Sequence, residues 1–476
     1  MVIGRMAEAV TRGVGGFASE MVSGVTDAFD PGVRLGVTGL SRAGKTVFIT
    51  SLVANLIERG RMPGLKAGDR IEAAFLQPQP DDTVPRFDYE RHLHALTGRT
   101  PHWPEGTRAV SQLRLSMRVR QAGILASVRG VRLIHLDIVD YPGEWLLDLG
   151  LMEKSFDDWS ERAMRRLVTW GAGGYAAALD GVDPDAPLDE AAAQRLARAY
   201  AEALQQARDA GAYDLTPGRF LMPGEMEGSP ALTFAPLPPG QGAAPRGSLR
   251  REMERRFEAY KSRVVRPFFR DHFARLDRQV VLLDVLGAIR KGPRALEEMR
   301  QAMVDLLVAF RPGAIGWLMS LLGARRVDRI LFAATKADHL HHTQHARLTA
   351  ILDEMVREAR ARADFAGART EALSIAALRT TTEETREHEG REVPVVRGRL
   401  LGPDGAPGRA AALFPGELPD DPSHLLGPAR AGEAAWLDGE YDLMDFAPAP
   451  LTLRPDEGPP HIRMDRAAQF LLGDVL

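Results

Sequence analysis

A short run of residues near the start of the chain has the types and spacing needed to bind phosphate. Residues 39–46 read Gly-Leu-Ser-Arg-Ala-Gly-Lys-Thr, which matches the pattern G-x-x-x-x-G-K-[ST] at every defined position. The glycines let backbone N–H groups turn towards phosphate oxygens at the amino end of a helix. We expect Lys45 to contact the β- and γ-phosphates, and the Thr46 hydroxyl to bind Mg²⁺. The predicted nucleotide contacts in this loop are Gly39, Ser41, Arg42, Ala43, Gly44, Lys45, Thr46 and Val47.

A carboxylate at the end of an apolar run is the predicted second anchor for the metal. Asp140-Tyr-Pro-Gly143 has the spacing D-x-x-G. We expect Asp140 to hold Mg²⁺ through water and the Gly143 amide to approach the γ-phosphate, a contact that hydrolysis would release. Asp137 is a competing carboxylate, but residues three apart on a strand point to opposite faces, so only one of them should face the metal. The alternative for Asp140 is a solvated residue that caps the strand.

A third motif predicts which base is bound. Thr335-Lys336-Ala337-Asp338 follows an apolar strand pattern and matches the T-K-x-D form of the guanine signature. An aspartate here can accept bonds from guanine N1–H and the 2-amino group, whereas adenine has a donor at neither place. Lys336 would lay its aliphatic stem over the base. The alternative for Asp338 is a helix N-cap. Ser374 and Ile375, after the next predicted strand, are candidates for a further base contact.

These motifs need a sheet that brings strand ends together, and the apolar pattern predicts one. Predicted strands alternate with predicted helices, which indicates an α/β fold with a doubly wound, mostly parallel sheet. The core is assigned to 31–145 and 276–385, a largely helical insertion to 146–275, and a small C-terminal subdomain packed on the core to 386–476. The predicted strands are 33–38, 113–119, 131–139, 280–286, 330–334, 373–376, 393–401 and 451–453. The predicted helices are 45–59, 188–207, 249–278, 295–310, 343–363 and 465–472.

Composition excludes several classes of protein. The chain has 476 residues, is 45% hydrophobic and has a formal net charge of −3, so a nucleic acid is not expected as its main partner. It contains no cysteine, which excludes disulfides and thiolate metal sites and fits a cytoplasmic location. No apolar run reaches the about 18 residues of a membrane span. Residues 1–30 predict an amphipathic helix, which either docks on the protein's own body or binds a membrane surface or partner.

Together these motifs resemble the YcjX-like family of bacterial stress-associated P-loop GTPases. The resemblance also includes Trp103-Pro104-Glu105-Gly106-Thr107 and the terminal stretch 461–467, and it extends from about residue 30 to 476. It implies GTP and GDP as ligands with Mg²⁺, and nucleotide-dependent switching linked to envelope stress. It also implies a membrane-associated protein partner, with the chain located in the cytoplasm or peripherally at the inner membrane face.

Some positions depart from small GTPases. The interval from Gly143 to Thr335 far exceeds the about 30 residues of a βαβ unit, which is why 146–275 is assigned as an insertion: a lid, a partner surface or a homodimer surface. Glu144 stands where Ras-like proteins have a water-orienting glutamine, and it either orients the water or is a solvated switch residue. Arg42 resembles the loop arginine of guanylate-binding GTPases, which implies a finger acting within the chain, against the alternative of a solvent-facing side chain.

Two assignments rest on less specific patterns. The first switch must offer a hydroxyl ligand to Mg²⁺ between the phosphate-loop helix and the strand at 113–119, and Thr107 is preferred to Thr97 and Thr100. A group of histidines could suggest a metal, but no carboxylate geometry supports one, and a polar helical surface is favoured. That group is His339, His341, His342 and His345.

The sequence thus predicts a Mg²⁺-dependent GTPase that acts as a switch, with Lys45, Arg42 and Glu144 as its candidate catalytic residues. Two alternatives remain. The same loop could serve a P-loop ATPase or a small-molecule kinase, if Asp338 does not face a base. The chain could instead be a scaffold that holds GDP with negligible turnover while its insertion binds a membrane partner.

Overall fold

The computed structural model describes residues 32–40, 42–106, 109–121, 130–240, 242–307, 327–388, 390–402, 404–436 and 441–476. Three predictions fall outside these ranges: the amphipathic segment 1–30, the loop residue Ser41 and the switch candidate Thr107.

A seven-stranded sheet forms the centre of the described part of the chain, with strand order β2-β3-β4-β1-β5-β6-β7. The five strands β4, β1, β5, β6 and β7 are parallel, and β2 and β3 extend the sheet antiparallel at one side. This confirms the predicted α/β fold with a mostly parallel sheet. The strands are β1 Gly32–Gly39, β2 Ile71–Gln77, β3 Ser111–Arg120, β4 Val131–Asp140, β5 Arg278–Leu283, β6 Arg329–Ala334 and β7 Arg369–Ser374.

Helices cover both faces of this sheet, which explains why residues 280–283 of β5 are all apolar. Val280 and Leu282 pack into one apolar cluster, whereas Val281 and Leu283 pack into another on the opposite face. The helices are α1 Lys45–Ile57, α2 Tyr89–Thr97, α3 Gly143–Leu147, α4 Phe156–Thr169, α5 Gly173–Leu179, α6 Glu190–Ala210, α7 Leu249–Tyr260, α8 Arg266–Asp271, α9 Val285–Lys291, α10 Pro293–Leu307, α11 His345–Met355, α12 Arg357–Phe365, α13 Ser423–Ala431 and α14 Met464–Leu472.

The described residues between α3 and β5 form helices and turns around an aromatic group. Trp159 stacks on Phe257 with ring centroids 5.1 Å apart and meets Phe234 edge-on at 5.3 Å. These rings belong to the same apolar cluster as Trp145, which lies in α3 directly after the D-x-x-G motif. The helical segment is therefore packed against the residues that follow Gly143.

A second, three-stranded antiparallel sheet follows β7, with order β10-β9-β8. The segment around Phe446 runs beside its β9 strand, because the Leu401 amide donates to the Asp445 carbonyl and the Ala447 amide donates to the Arg399 carbonyl. The Asp445 side chain also contacts Lys336, just after β6, so this segment links the small sheet to the main one. The strands are β8 Thr382–His388, β9 Arg391–Leu401 and β10 Pro407–Leu413.

Several predicted elements are wrong in their extent or type: for example, the helix predicted at 343–363 is two helices, and the strand predicted at 373–376 is Arg369–Ser374. The strand predicted at 280–286 ends at Leu283, because the Asp284 carboxylate accepts from the Gly287 amide at 2.9 Å and caps α9. The helix predicted at 249–278 is interrupted by a π-helical turn, Lys261–Val265, just before Pro267, which has no N–H to donate to the preceding turn. Residues 451–453 form no strand.

Candidate nucleotide-binding site

The phosphate loop connects the central strand β1 to helix α1. Gly44 precedes the helix with φ 81°, a left-handed conformation that favours glycine, and Arg42 adopts it as well with φ 63°. The Lys45 ammonium donates to the Gly39 carbonyl at 3.2 Å, so it folds back over the loop. Among the residues that the structure describes, no side chain caps the amino end of α1, and the first turn of α1 contains no acidic residue. This end of the helix is suited to an anion.

The D-x-x-G segment lies directly against the phosphate loop. Asp140 ends β4, pairs in register with Val37 of β1, and is 2% exposed, so the solvated alternative for it is wrong. A Cβ on Gly143 would lie 1.9 Å from the Gly39 carbonyl oxygen. Only glycine can occupy position 143 without displacing one of the two segments. The structure therefore brings Asp140 and Gly143 to the loop that carries Lys45.

The competing carboxylate is engaged elsewhere. Both oxygens of Asp137 accept from the Arg114 guanidinium, at 2.6 and 2.8 Å. The side chain of Asp137 is 8% exposed, so this is a largely buried, bidentate ion pair. Asp137 thus serves the packing of β4 against β3, which agrees with its predicted place on the face opposite Asp140.

The segment before β3 passes the predicted metal ligand Thr46. The Thr46 hydroxyl donates to the Glu105 carbonyl at 3.5 Å and the residue is 6% exposed. Thr97 is the last residue of α2 and donates to the Leu93 carbonyl within that helix, and Thr100 is exposed. The residue that contacts Thr46, Glu105, is thus two positions before Thr107 in sequence. Thr107 itself lies outside the described residues.

Glu144 is not a solvated residue, so that alternative is wrong. It is 3% exposed, and its carboxylate lies 4.0 Å from the Arg208 guanidinium of α6. A Cβ on Gly218 would lie 2.3 Å from the Glu144 carbonyl oxygen, which shows how closely the helical segment approaches. Arg42, another candidate catalytic residue, is exposed. The catalytic roles of both residues stay predictions.

A largely half-buried group of charges surrounds the lysine of the T-K-x-D motif. The Lys336 ammonium donates to Asp284 at 2.6 Å and to Asp445 at 3.2 Å. Burial alone would lower the pKa of Lys336, but the two carboxylates outweigh it and raise this pKa. Burial opposes ionisation of Asp445, yet Lys336 and Arg290 hold its pKa below the usual value. Lys336 is therefore charged and fixed in place.

Asp338 is held in one orientation by the loop after β7. It is 3% exposed, and its Oδ2 accepts from the Thr380 amide at 2.8 Å and from the Thr380 hydroxyl at 2.7 Å. The Thr381 hydroxyl donates to the Asp338 carbonyl. Asp338 lies within a short 3₁₀ turn and its carboxylate caps no helix, so the N-cap alternative is wrong.

The structure argues against base contacts from Ser374 and Ile375. The Ser374 hydroxyl donates to the His345 carbonyl at 3.0 Å, and the Ile375 amide donates to the Ala334 carbonyl at 2.8 Å. Both residues are fully buried. Since a hydroxyl and an amide each have one proton to donate, neither offers a donor to a base.

The histidines after Asp338 do not form the predicted polar helical surface. His339, His341 and His345 are buried, at 6%, 8% and 2% exposure, and only His342 is exposed. Their turns fold under the motif, where the His345 ring nitrogen Nε2 is 2.8 Å from the Ala337 carbonyl. This expectation was wrong because the run begins with two short 3₁₀ turns rather than a surface helix.

Sequence reasoning missed the residues that hold the base motif, namely Asp284, Thr380 and Asp445. Asp284 had a usable signal, because it ends an apolar run just as Asp140 does. Asp445 had none, because it lies in a proline-rich tail more than a hundred residues from Lys336 in sequence.

Among the described residues, no helix combines the length and apolar character needed to cross a membrane.

Comparisons with known proteins match this chain to one family along almost its full length. A family model described as the YcjX-like family, DUF463, matches residues 33–476. A relative from Escherichia coli (strain K12), named Ras-like GTPase YcjX, is 36% identical, and the match covers 96% of this chain and 99% of that protein. A relative of the same name from Shewanella oneidensis is 35% identical, with 94% of this chain and 95% of that protein covered.

Proposed function

Because the chain belongs to the YcjX-like family, we propose that it is a Mg²⁺-dependent switch protein that binds and hydrolyses GTP. Its relatives are named Ras-like GTPases, which supports this reaction. The observation that carries the proposal is the placement of Asp338. Its buried carboxylate is fixed at the same sheet edge as the phosphate loop, where it can read a base.

The donor atoms near the loop fit Mg²⁺. A threonine hydroxyl and a carboxylate are hard oxygen ligands, and Thr46 and Asp140 supply them at the ends of neighbouring elements. When bound, the metal would neutralise charge on the β- and γ-phosphates. Lys45 would bind the same phosphates, and the Gly143 amide would approach the γ-phosphate. Arg42 would stabilise charge that develops as water attacks, with Glu144 as a candidate to orient that water.

Guanine selectivity follows from the acceptors that Asp338 offers. Each carboxylate oxygen can accept more than one hydrogen bond, so the bonds from Thr380 leave acceptor capacity for guanine N1–H and its 2-amino group. Adenine would leave this remaining acceptor capacity of the buried carboxylate unfilled, which disfavours adenine by about 1–3 kcal/mol per lost partner. Lys336, fixed between Asp284 and Asp445, would cover the base with its stem.

The wider role rests on the family resemblance. We assign 31–145 and 276–385 to the GTPase core, 146–275 to an insertion that acts as a lid, partner surface or homodimer surface, and 386–476 to a subdomain on the core. Packing of the Glu144 backbone against Gly218 supports communication between the switch and the insertion. The proposed setting is cytoplasmic or peripheral at the inner membrane face, in a stress response with a membrane-associated protein partner.

The first test is competition for a fluorescent GDP by GTP, GDP and ATP in the presence of Mg²⁺. We expect guanine nucleotides to compete better by orders of magnitude, and Asp338→Ala to lose that preference. Asp209→Ala, an exposed carboxylate on α6, is the matched control and should behave as wild type. Equal competition by ATP in the wild type would contradict the base assignment and return the chain to the P-loop ATPases and small-molecule kinases.

Turnover separates a GTPase from a GDP-holding scaffold. We expect phosphate release from GTP to fall at least about 100-fold in Lys45→Ala, because an ammonium that binds the transferring phosphate is lost. Lys66→Ala removes an exposed lysine in the turns between α1 and β2 and should leave turnover unchanged. Turnover that is negligible in the wild type, or equal in Lys45→Ala, would favour the scaffold.

A further inference from the structure

Two histidines and a glutamate come together beside the T-K-x-D motif although they are distant in sequence. His341 and His342 lie in the turns that follow Asp338, and Glu383 is the second residue of strand β8. One nitrogen of each ring and a carboxylate oxygen of Glu383 all lie within 4.8 Å of one another. The two rings are 4.3 Å apart between centroids. The expectation that no carboxylate accompanies these histidines is therefore wrong.

The hydrogen bonds at His341 orient its ring for coordination. Its Nδ1 is 3.0 Å from the Thr343 hydroxyl, and its Nε2 lies 3.9 Å from the Glu383 carboxylate. With the proton on Nδ1 donated to Thr343, the Nε2 lone pair faces the carboxylate. Metal-binding histidines are usually fixed in this way by a hydrogen bond at the second ring nitrogen.

The other two groups can adjust their positions. His342 is exposed, and its Nδ1 is 2.6 Å from Glu383 Oε2, so the two atoms already face each other. The Arg379 guanidinium contacts the other oxygen, Oε1, at 3.4 Å. Arg379 thus turns Oε2 towards the histidines. The ring of His342 can rotate to reach metal–nitrogen distances of about 2.0–2.1 Å.

We propose that His341, His342 and Glu383 form a binding site for a divalent transition metal, with Zn²⁺ as the preferred ion. Two imidazoles and one carboxylate are typical ligands of zinc, whereas Mg²⁺ prefers oxygen alone. Three protein ligands leave one position for water or for a group from another molecule. The site is separate from the predicted Mg²⁺ ligands Thr46 and Asp140, and goes beyond the proposed function.

A metal here joins two segments that both contact Asp338. The histidines follow it by a few residues, and Glu383 follows Thr380 and Thr381, which hold the Asp338 carboxylate and carbonyl. Without a metal, the link between the histidine turn and β8 consists of exposed and half-buried side-chain contacts. With a metal bound, coordination by His341, His342 and Glu383 ties the histidine turn to β8. The metal therefore stabilises the turn that carries Asp338.

The test is Zn²⁺ binding to the full chain, without an affinity tag and with GDP and excess Mg²⁺ present to fill the nucleotide site. We expect a single ion per chain by calorimetry, and affinity at least about tenfold weaker in His342→Ala and in Glu383→Gln. Co²⁺, followed by its visible absorption, should bind the wild type and be displaced by Zn²⁺.

Two controls are matched to these variants. Glu384→Gln changes the next residue of β8, which points to the other face and contacts Arg386, and His424→Ala removes an exposed histidine elsewhere. Both should bind Zn²⁺ as wild type does. Melting temperatures check that His342→Ala is folded, as expected for an exposed side chain. Failure of the wild type to bind, or equal affinity in His342→Ala and Glu383→Gln, would overturn the proposal.

Discussion

The phosphate end and the base end of the proposed nucleotide site lie on one edge of the same sheet but are built differently. The phosphate end consists of one continuous segment, β1 with its loop and α1, and the segment at Gly143 packs directly against it. The base end takes its side chains from four separate parts of the chain, at Asp284, Lys336–Asp338, Thr380 and Asp445.

The two ends therefore depend on different interactions. Backbone conformation shapes the phosphate end, as the left-handed residues Arg42 and Gly44 show. Charge pairing shapes the base end, where Lys336 lies between the buried Asp284 and the half-buried Asp445. Removing one member of such a group leaves the others less well compensated. Substitutions at the phosphate end should therefore affect chemistry, whereas substitutions at the base end should affect affinity.

The largest expected effect is at Arg42. In Arg42→Ala, we expect the rate of GTP hydrolysis at saturating GTP to fall by about 100- to 1,000-fold, because charge stabilisation of the transition state is lost. GDP affinity should remain nearly unchanged, because the exposed guanidinium is not part of the loop's backbone contacts. Single-turnover phosphate release and GDP binding measure the two quantities separately.

Arg132→Ala is the matched control for Arg42. Arg132 is an exposed arginine at the amino end of β4, whereas Asp140 ends that strand at the site. Its replacement should change neither quantity. If Arg42→Ala instead lost GDP affinity by the same factor as turnover, the finger role would be wrong, and Arg42 would act as a binding residue.

A smaller effect, on the free energy of unfolding, is expected at Asp148. This residue follows Gly143 and connects the phosphate end to the helical segment. Asp148 accepts from the Tyr260 hydroxyl at 2.5 Å and from the Gly218 amide at 2.8 Å. Burial nevertheless raises the pKa of Asp148 from 3.8 to about 7. The protonated form is therefore favoured in the folded state, and its contribution to stability is lost as pH rises towards this folded pKa.

The pH dependence of unfolding tests this assignment. Between pH 5.5 and 8, ionisation of Asp148 should lower the free energy of unfolding by about 2 kcal/mol. Asp148→Asn should remove this part of the decrease, and chemical denaturation at the two pH values measures it. Asp180→Asn, at an exposed carboxylate, should retain the wild-type decrease. The same decrease in Asp148→Asn and wild type would show that another group causes it.

The same contrast explains what could be predicted from sequence. Strand β1, the loop and α1 were predicted almost to the residue, because their motif is local and its glycines have a local reason. The position of Asp140 was predicted because the D-x-x-G spacing begins where the apolar run of β4 ends. Asp445 could not be predicted, because its partner Lys336 is distant in sequence and no spacing rule relates them.

The missed strands have a physical reason as well. β2 is at the edge of the main sheet and mostly half-buried, and β8 and β10 belong to a small sheet with few buried side chains. Strands that bury neither face fully lack the continuous apolar run or clear alternation on which prediction depends. β8, which carries Glu383, reads as a polar segment, Thr-Glu-Glu-Thr-Arg-Glu-His.

The smallest expected effect is at Asp445 and addresses the base end directly. In Asp445→Asn, Lys336 keeps only Asp284 as its charged partner, so the lysine stem should be held less firmly over the base. We expect GDP affinity to fall about tenfold, which corresponds to about 1.4 kcal/mol. The rate of hydrolysis at saturating GTP should be unchanged, because no phosphate contact is altered.

Asp442→Asn provides the control, since Asp442 is an exposed carboxylate in the same tail segment, three residues before Asp445. It should bind GDP as wild type does. A fall in the saturating rate of Asp445→Asn, with affinity preserved, would contradict the division between the two ends. It would mean that the C-terminal segment controls the phosphate end, through Trp103, whose indole N–H donates to the Phe446 carbonyl at 2.9 Å next to Asp445.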